Sequence, residues 1–115
     1  MLTKVENNLE KLWNDIRLVY EGFNFNELID GLMIISHDNY YLLQYKKDLE
    51  PLVHIKIEKY YRLANIIGNG GNTTSYNITV QVGDSGYKYE DQMIDFTYII
   101  LTPFLREIKI NKLID

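Results

Sequence analysis

The first segment of the chain spaces its apolar residues with the period of an amphipathic helix. Between residues 9 and 19, leucine, isoleucine, tryptophan and valine recur three and four positions apart, with polar residues between them. Thr3 and Glu6 have the spacing of a capping box, and Gly22 is a residue at which helices stop. We therefore predict an amphipathic helix over residues 3–21.

The central part of the chain changes to the two-residue period of β-strands. Residues 32–36 and 40–45 are rich in β-favouring side chains and flank three turn-forming residues at 37–39, which predicts a hairpin. Residues 52–67 alternate less regularly, and we interpret them as one long, bent strand. Residues 76–82 show the clearest alternation in the chain and predict a further strand.

Glycine and asparagine mark the connections between these elements. Asn24 and Glu27 form a second cap-like pair, which predicts a short turn of helix that ends at Gly31. The glycine-rich residues 68–72 predict a flexible loop, and residues 83–86 predict a tight turn.

The C-terminal part of the sequence permits two interpretations. Residues 87–101 are rich in isoleucine, tyrosine and phenylalanine and favour a strand, after which Thr102 and Pro103 resemble the start of a helix over 103–113. The alternative is one helix through residues 93–108. That helix would contain Pro103, at a cost of ~3 kcal/mol or more. We prefer a break at Pro103, and the assignment of the preceding residues as strand or helix stays open.

Together these elements predict an α+β fold. It comprises an N-terminal amphipathic helix, a four- or five-stranded antiparallel sheet and a short C-terminal helix. The chain has 115 residues, of which 46% are hydrophobic and 24% charged, as in ordinary globular proteins. We expect residues 1–115 to form a single domain, too small for the larger enzyme barrels.

Charge and cysteine content exclude several classes of protein. The net charge is −4 and the longest basic cluster is Lys46-Lys47, so we expect no nucleic-acid partner. The chain has no cysteine, which rules out disulfides and thiolate metal sites. Charged residues occur close to the N-terminus, so we expect no signal peptide. Uninterrupted apolar runs are short, such as residues 99–101, so we expect no membrane partner and a cytoplasmic location.

Candidate chemistry is sparse along the chain. Its two histidines lack the spacing of a zinc site, and no catalytic constellation stands out, so we expect no enzyme activity, no metal and no cofactor. One alternative is a small-ligand or nucleotide site, with the loop over residues 68–72 as a lid. The residues proposed for this alternative site are His54, Arg62, Gly70 and Gly71.

Tyrosine is the most suggestive residue type, with ten copies in the chain. The doubled tyrosines at 40–41 and 60–61 fall in predicted strands, so the members of each pair must point to opposite faces of the sheet. Exposed tyrosine is favoured at protein interfaces, although β-propensity alone also explains tyrosine in strands. The predicted protein-binding residues are Tyr40, Tyr41, Tyr60, Tyr61, Tyr87 and Tyr89.

These observations favour a small non-enzymatic module that binds another protein or a second copy of itself as a homodimer. Abundant isoleucine, asparagine and lysine, with Ala64 as the single alanine, indicate an AT-rich genome. Small size and this bias favour a phage or mobile-element inhibitor of a host defence protein, such as an anti-CRISPR, or a toxin-immunity protein. The alternatives are a small-ligand or nucleotide-binding domain and a phage structural subunit.

Overall fold

A computed structural model describes residues 4–63 and 72–114 of the chain. Within them lie two helices and five strands. In chain order these are α1 (Lys4–Gly22), β1 (Leu32–Ser36), β2 (Tyr40–Tyr45), β3 (Val53–Leu63), β4 (Asn72–Val82), β5 (Ser85–Gly86) and α2 (Glu90–Ile114).

The five strands form one antiparallel sheet in the order β1-β2-β3-β4-β5, so each strand pairs with its neighbour in sequence. The register of the central strands places Leu43 opposite Ile55, and Ile55 opposite Val80. All three side chains are buried. Because side chains alternate across a strand, these residues mark one face of the sheet, which we call the covered face.

The hydrophobic core fills the space between the covered face and the two helices. The buried side of α1 includes Leu12 and Ile16, and α2 contributes Leu101 and Phe104. The helices also contact each other directly. The Tyr98 hydroxyl on α2 donates a hydrogen bond to the Asp15 carboxylate on α1, with an O···O distance of 2.6 Å. The structure is therefore a two-layer α+β domain in its described part.

Most of the predicted elements are confirmed. Helix α1 and both strands of the first hairpin lie where the residue pattern placed them, and β4 begins earlier than predicted, at Asn72. β3 ends at Leu63 within the described part of the chain. Thr3 of the capping box, the end of the predicted strand at 64–67 and most of the predicted loop, residues 68–71, lie outside the described residues.

The predicted C-terminal helix is confirmed, but it is longer than predicted, and the strand predicted before it is wrong. Residues 87–101 form no strand, and α2 runs for 25 residues through Pro103 without a break. Met93, Ile100 and Phe104 are buried at helical spacing, and each contributes roughly 1.5–3 kcal/mol. That sum exceeds the ~3 kcal/mol that an internal proline costs, and Pro103 itself lies on the exposed side of the helix.

The predicted helical turn before Gly31 is also wrong. The Asn24 side chain accepts a hydrogen bond from the backbone N–H of Asn26, at 3.3 Å, which is a local turn that competes with helix. Gly31 adopts a φ of +85°, and a Cβ there would lie 2.3 Å from the backbone oxygen of Lys46. Glycine is therefore required at this position to join the segment to β1.

Candidate functional site

The second face of the sheet, which we call the open face, has no helix packed on it in the part of the chain that the structure describes. Its side chains are those that alternate with the buried ones. The register brings Leu42, Lys56 and Thr79 into one row across the three central strands. Other side chains on this face are Met33, Ile35, Tyr40, Gln44, His54, Glu58, Tyr60, Ser75, Asn77 and Gln81.

Tyr40 is held between neighbouring side chains on the open face. The His37 ring stacks on it with a centroid separation of 4.3 Å and an interplanar angle of 19°. The Lys56 ammonium lies 4.7 Å from the Tyr40 ring centroid, which is the geometry of a cation–π contact. Lys56 also lies 3.9 Å from the Glu58 carboxylate. These contacts restrict the ring before any partner arrives.

Tyr60 extends this aromatic surface along β3. Tyr40 pairs directly with Glu58, and Tyr60 lies two residues beyond Glu58 on the same face. Diagonal neighbours of this kind have Cα atoms about 7–8 Å apart, within reach of aromatic side chains. The fold therefore brings Tyr40 and Tyr60 together. Leu42 follows Tyr40 on the same face of β2, and Ile35 pairs with Leu42 from β1.

Tyr41 and Tyr61 point to the opposite side of the sheet from Tyr40 and Tyr60. Tyr41 is 7% exposed, and its ring centroid lies 4.8 Å from that of Trp13 in the core. Burial raises the pKa of Tyr41 above its ordinary value. Tyr61 is 69% exposed, even though it follows the alternation of the covered face. Tyr41 is therefore a core residue, whereas Tyr61 is a surface residue on the side opposite Tyr60.

Tyr87 and Tyr89 lie apart from the other candidate tyrosines. They follow β5, three strands away from β2 in the sheet order, which is about 14 Å at ordinary strand spacing. The Tyr87 ring packs against Phe96 of α2, with a centroid separation of 5.3 Å. Tyr89 is exposed. These two residues do not form one surface patch with Tyr40 and Tyr60.

His54 and Arg62 of the alternative ligand site lie far apart along β3. His54 lines a cavity of about 340 Å³, together with Gln44, Lys56 and Gln81. Arg62 lies at the other end of β3, roughly 26 Å from His54 at the rise of an extended strand. Gly70 and Gly71 lie outside the described residues. His54 and Arg62 therefore do not form one site.

Metal and membrane sites are not found in the described ranges. Among residues 4–63 and 72–114, no three histidine, aspartate or glutamate side chains are grouped closely enough to hold a metal ion. No helix in those ranges has both the length and the apolar character needed to cross a bilayer. These two findings concern the described ranges alone.

Comparisons with known proteins give no match. No family model matches the chain, and neither a curated protein nor a solved structure matches it.

Sequence reasoning missed the residues that surround Tyr40. In the sequence, Lys56 and Glu58 are ordinary polar positions of a strand pattern. Only the register between β2 and β3 shows that they lie beside Tyr40 and Tyr60. The sequence predicts that Ile35 and Leu42 lie in the strands of the first hairpin, but it does not predict which face they occupy. Both residues alternate with the buried residues of their strands. The two-residue period could therefore have placed them on the face opposite the core.

Proposed function

We propose that this chain is a non-enzymatic protein-binding module that docks on another protein through the open face. The observation that carries this proposal is the sheet itself, which packs both helices on one face and presents Tyr40 and Tyr60 on the other. Tyrosine supplies a large contact area at a low cost in side-chain entropy, which is why binding surfaces are enriched in it.

The charge of the open face favours a protein partner over a nucleic acid. Among the described side chains of this face, the Lys56 ammonium is offset by the neighbouring Glu58 carboxylate. Aromatic platforms that bind single-stranded nucleic acid combine stacking with a positively charged groove. A nearly neutral face with apolar and aromatic side chains is better suited to a protein surface.

We further propose that the partner is a protein whose working surface this chain covers, as an inhibitor of a host defence protein of the anti-CRISPR type or as a toxin-immunity protein. A small, acidic chain with an AT-rich amino-acid bias supports this class. Such an inhibitor needs shape and contact area but no chemistry of its own. On this proposal the chain acts in the cytoplasm, where these partners are found.

The proposal is tested by capture of the partner on immobilised protein and comparison of variants. The double variant Tyr40→Ala/Tyr60→Ala should lose at least about tenfold in affinity, as expected for central aromatic contacts. Tyr61→Ala is the matched control, since it removes an exposed tyrosine from the opposite side. Full binding by a folded double variant, or equal loss in the control, would contradict the proposal.

A small-ligand function is the second candidate, favoured by the cavity beside His54. Its volume of about 340 Å³ falls within the range of small-molecule sites, and Gln44, Lys56 and Gln81 supply polar groups. A ligand that binds the folded state raises the melting temperature. A nucleotide panel should therefore give a shift that His54→Ala abolishes, and the absence of any shift would remove this candidate.

A further inference from the structure

A second concave surface lies on the helical side of the sheet, where α2 faces the connection between β2 and β3. Two adjoining cavities, of about 470 and 180 Å³, share Tyr45, Lys47, Ile99 and Ile100 in their linings. We call this combined surface the α2 groove. It is separate from the open face, because Tyr45 belongs to the covered face and α2 packs on that side.

The wall and floor of the α2 groove are apolar. Ile99 is 71% exposed, whereas its neighbour Ile100 and the nearby Phe104 are buried. Phe104 and the partly buried Tyr45 place two aromatic rings in the lining. An exposed isoleucine beside one buried and one partly buried aromatic side chain gives a long apolar side chain a surface to pack on.

Hydrogen-bond acceptors surround this apolar lining. Pro103 has no N–H, so the backbone carbonyl of Ile99 loses its helical donor at the edge of the groove. Asp30 and Glu107 line the larger cavity, and Glu50 lines the smaller one. Lys47 is the single cation in the linings of both cavities, so the groove carries an excess of negative charge.

The connection that forms one side of the groove is held by contacts of its own. The Lys46 ammonium donates to the backbone carbonyls of Asp48, at 2.8 Å, and of Glu50. These bonds fix the loop that presents Lys47 and Glu50. A groove that is formed before binding costs less ordering entropy when a partner enters it.

We propose that the α2 groove receives an arginine- or lysine-bearing segment of a partner protein. The apolar stem of the basic side chain packs on Ile99 and the rings of Tyr45 and Phe104, as long cationic side chains do on apolar surfaces. Its charged head faces Asp30, Glu107 and the Ile99 carbonyl, to which Pro103 cannot donate. This inference goes beyond the proposed function, because it assigns a second surface and a partner chemistry to the opposite side of the sheet.

The test uses three fluorescein-labelled peptides of equal length and fluorescence polarisation. One alternates leucine with arginine, one leucine with glutamate, and one serine with arginine. Only the leucine–arginine peptide should bind with saturation, and the others should bind at least about tenfold more weakly. Equal binding of the leucine–glutamate peptide, or no saturable binding of any peptide, would overturn the inference.

Three variants locate the bound peptide. Glu107→Lys and Ile99→Ser should each weaken binding of the leucine–arginine peptide by about tenfold. Glu10→Lys makes the same change of charge on the exposed side of α1 and should leave binding unchanged. Equal loss in Glu10→Lys would show non-specific attraction to an acidic protein and would overturn the inference.

The open-face double variant Tyr40→Ala/Tyr60→Ala separates this inference from the proposed function. It should bind the leucine–arginine peptide as the unmodified protein does, since the α2 groove lies on the other side of the sheet. Weaker peptide binding by a folded double variant would place the peptide on the open face and overturn the inference. Peptide binding to the α2 groove is therefore tested without the open-face partner.

Discussion

The two faces of the sheet give adjacent tyrosines different roles. Tyr40 and Tyr41 are neighbours in β2, yet Tyr41 packs against Trp13 in the core while Tyr40 lies between His37 and Lys56 on the open face. The strand period alone produces this difference, because successive side chains point to opposite faces. A doubled aromatic residue in a half-covered sheet thus supplies one core residue and one surface residue.

In the second pair, Tyr60 and Tyr61, the two side chains also lie on opposite faces, but neither is a core residue. Tyr60 joins Tyr40 on the open face, whereas Tyr61 points to the other side and is 69% exposed. The covered face is therefore not covered along its whole length. Tyr61 offers the chemistry of Tyr60 without its surroundings, which makes it a control for any experiment on the open face.

The largest expected difference between the faces is in stability. Tyr41→Ala removes a buried ring that contacts Trp13 and Tyr20, and we expect it to lower the free energy of unfolding by about 3–5 kcal/mol. Tyr40→Ala should cost about 1 kcal/mol or less, since it loses one stacked ring and one cation–π contact. Urea unfolding measures both, and similar losses would mean that the faces are wrongly assigned.

Adjacent leucines test the same difference without aromatic contacts. Leu43 is 1% exposed on the covered face, and Leu43→Ala should cost about 2–5 kcal/mol. Leu42 is half-buried on the open face, and Leu42→Ala should cost about half as much or less. Thermal and urea unfolding of the pair measure this ratio, and a larger loss at Leu42 would show that something covers the open face.

Much of the fold could be predicted from local patterns. The first hairpin was predicted correctly because its strands alternate between buried and less buried residues. The buried residues are Leu32, Ile34 and Leu43. The N-terminal part of α2 was predicted as strand because isoleucine and tyrosine favour strands locally. Burial of Met93 and Phe104 against the sheet, a tertiary effect, outweighed that preference and the cost of Pro103.

The candidate site was less accessible to sequence reasoning. The sequence identified Tyr40 and Tyr60 among six tyrosines but did not separate them from Tyr41, which is buried. That separation depends on which face the helices cover. The α2 groove had no sequence signal, because Ile99 belonged to a segment interpreted as strand and its exposure depends on how α2 packs.

The contact between the two helices should also make stability depend on pH. Burial, with the hydrogen bond to Asp15, raises the pKa of Tyr98 well above its ordinary value of 10.0. Folding thus favours the neutral phenol, so this contribution is fully present below pH 10 and is lost as pH rises through the higher folded-state pKa. Unfolding at pH 8 to 11 measures the loss.

The variant that tests this pH prediction is Tyr98→Phe. Tyr98→Phe should cost about 1 kcal/mol at neutral pH and flatten the alkaline decline, although Tyr41 and Tyr76, whose pKa values are also raised, keep part of it. An alkaline decline that is identical in unmodified protein and Tyr98→Phe would refute the assignment.

The smallest expected effect concerns Lys56 on the open face. Lys56→Met keeps most of the side-chain stem and removes the charge over Tyr40, so stability should fall by about 0.5–1 kcal/mol. The ring resonances of Tyr40 should shift in NMR spectra, while those of Tyr41 should not. Unchanged Tyr40 resonances would mean that Lys56 does not hold the ring in solution.

Docking of a partner on the open face is tested most directly by a footprint of the bound partner. The absence of cysteine from the chain makes such a footprint simple. Single variants Thr79→Cys, on the open face, and Glu10→Cys, on the exposed side of α1, are labelled with a thiol reagent in the presence and absence of the captured partner. The partner should slow labelling at position 79 at least about tenfold and leave labelling at position 10 unchanged. Protection of position 10 with free labelling at position 79 would contradict docking on the open face.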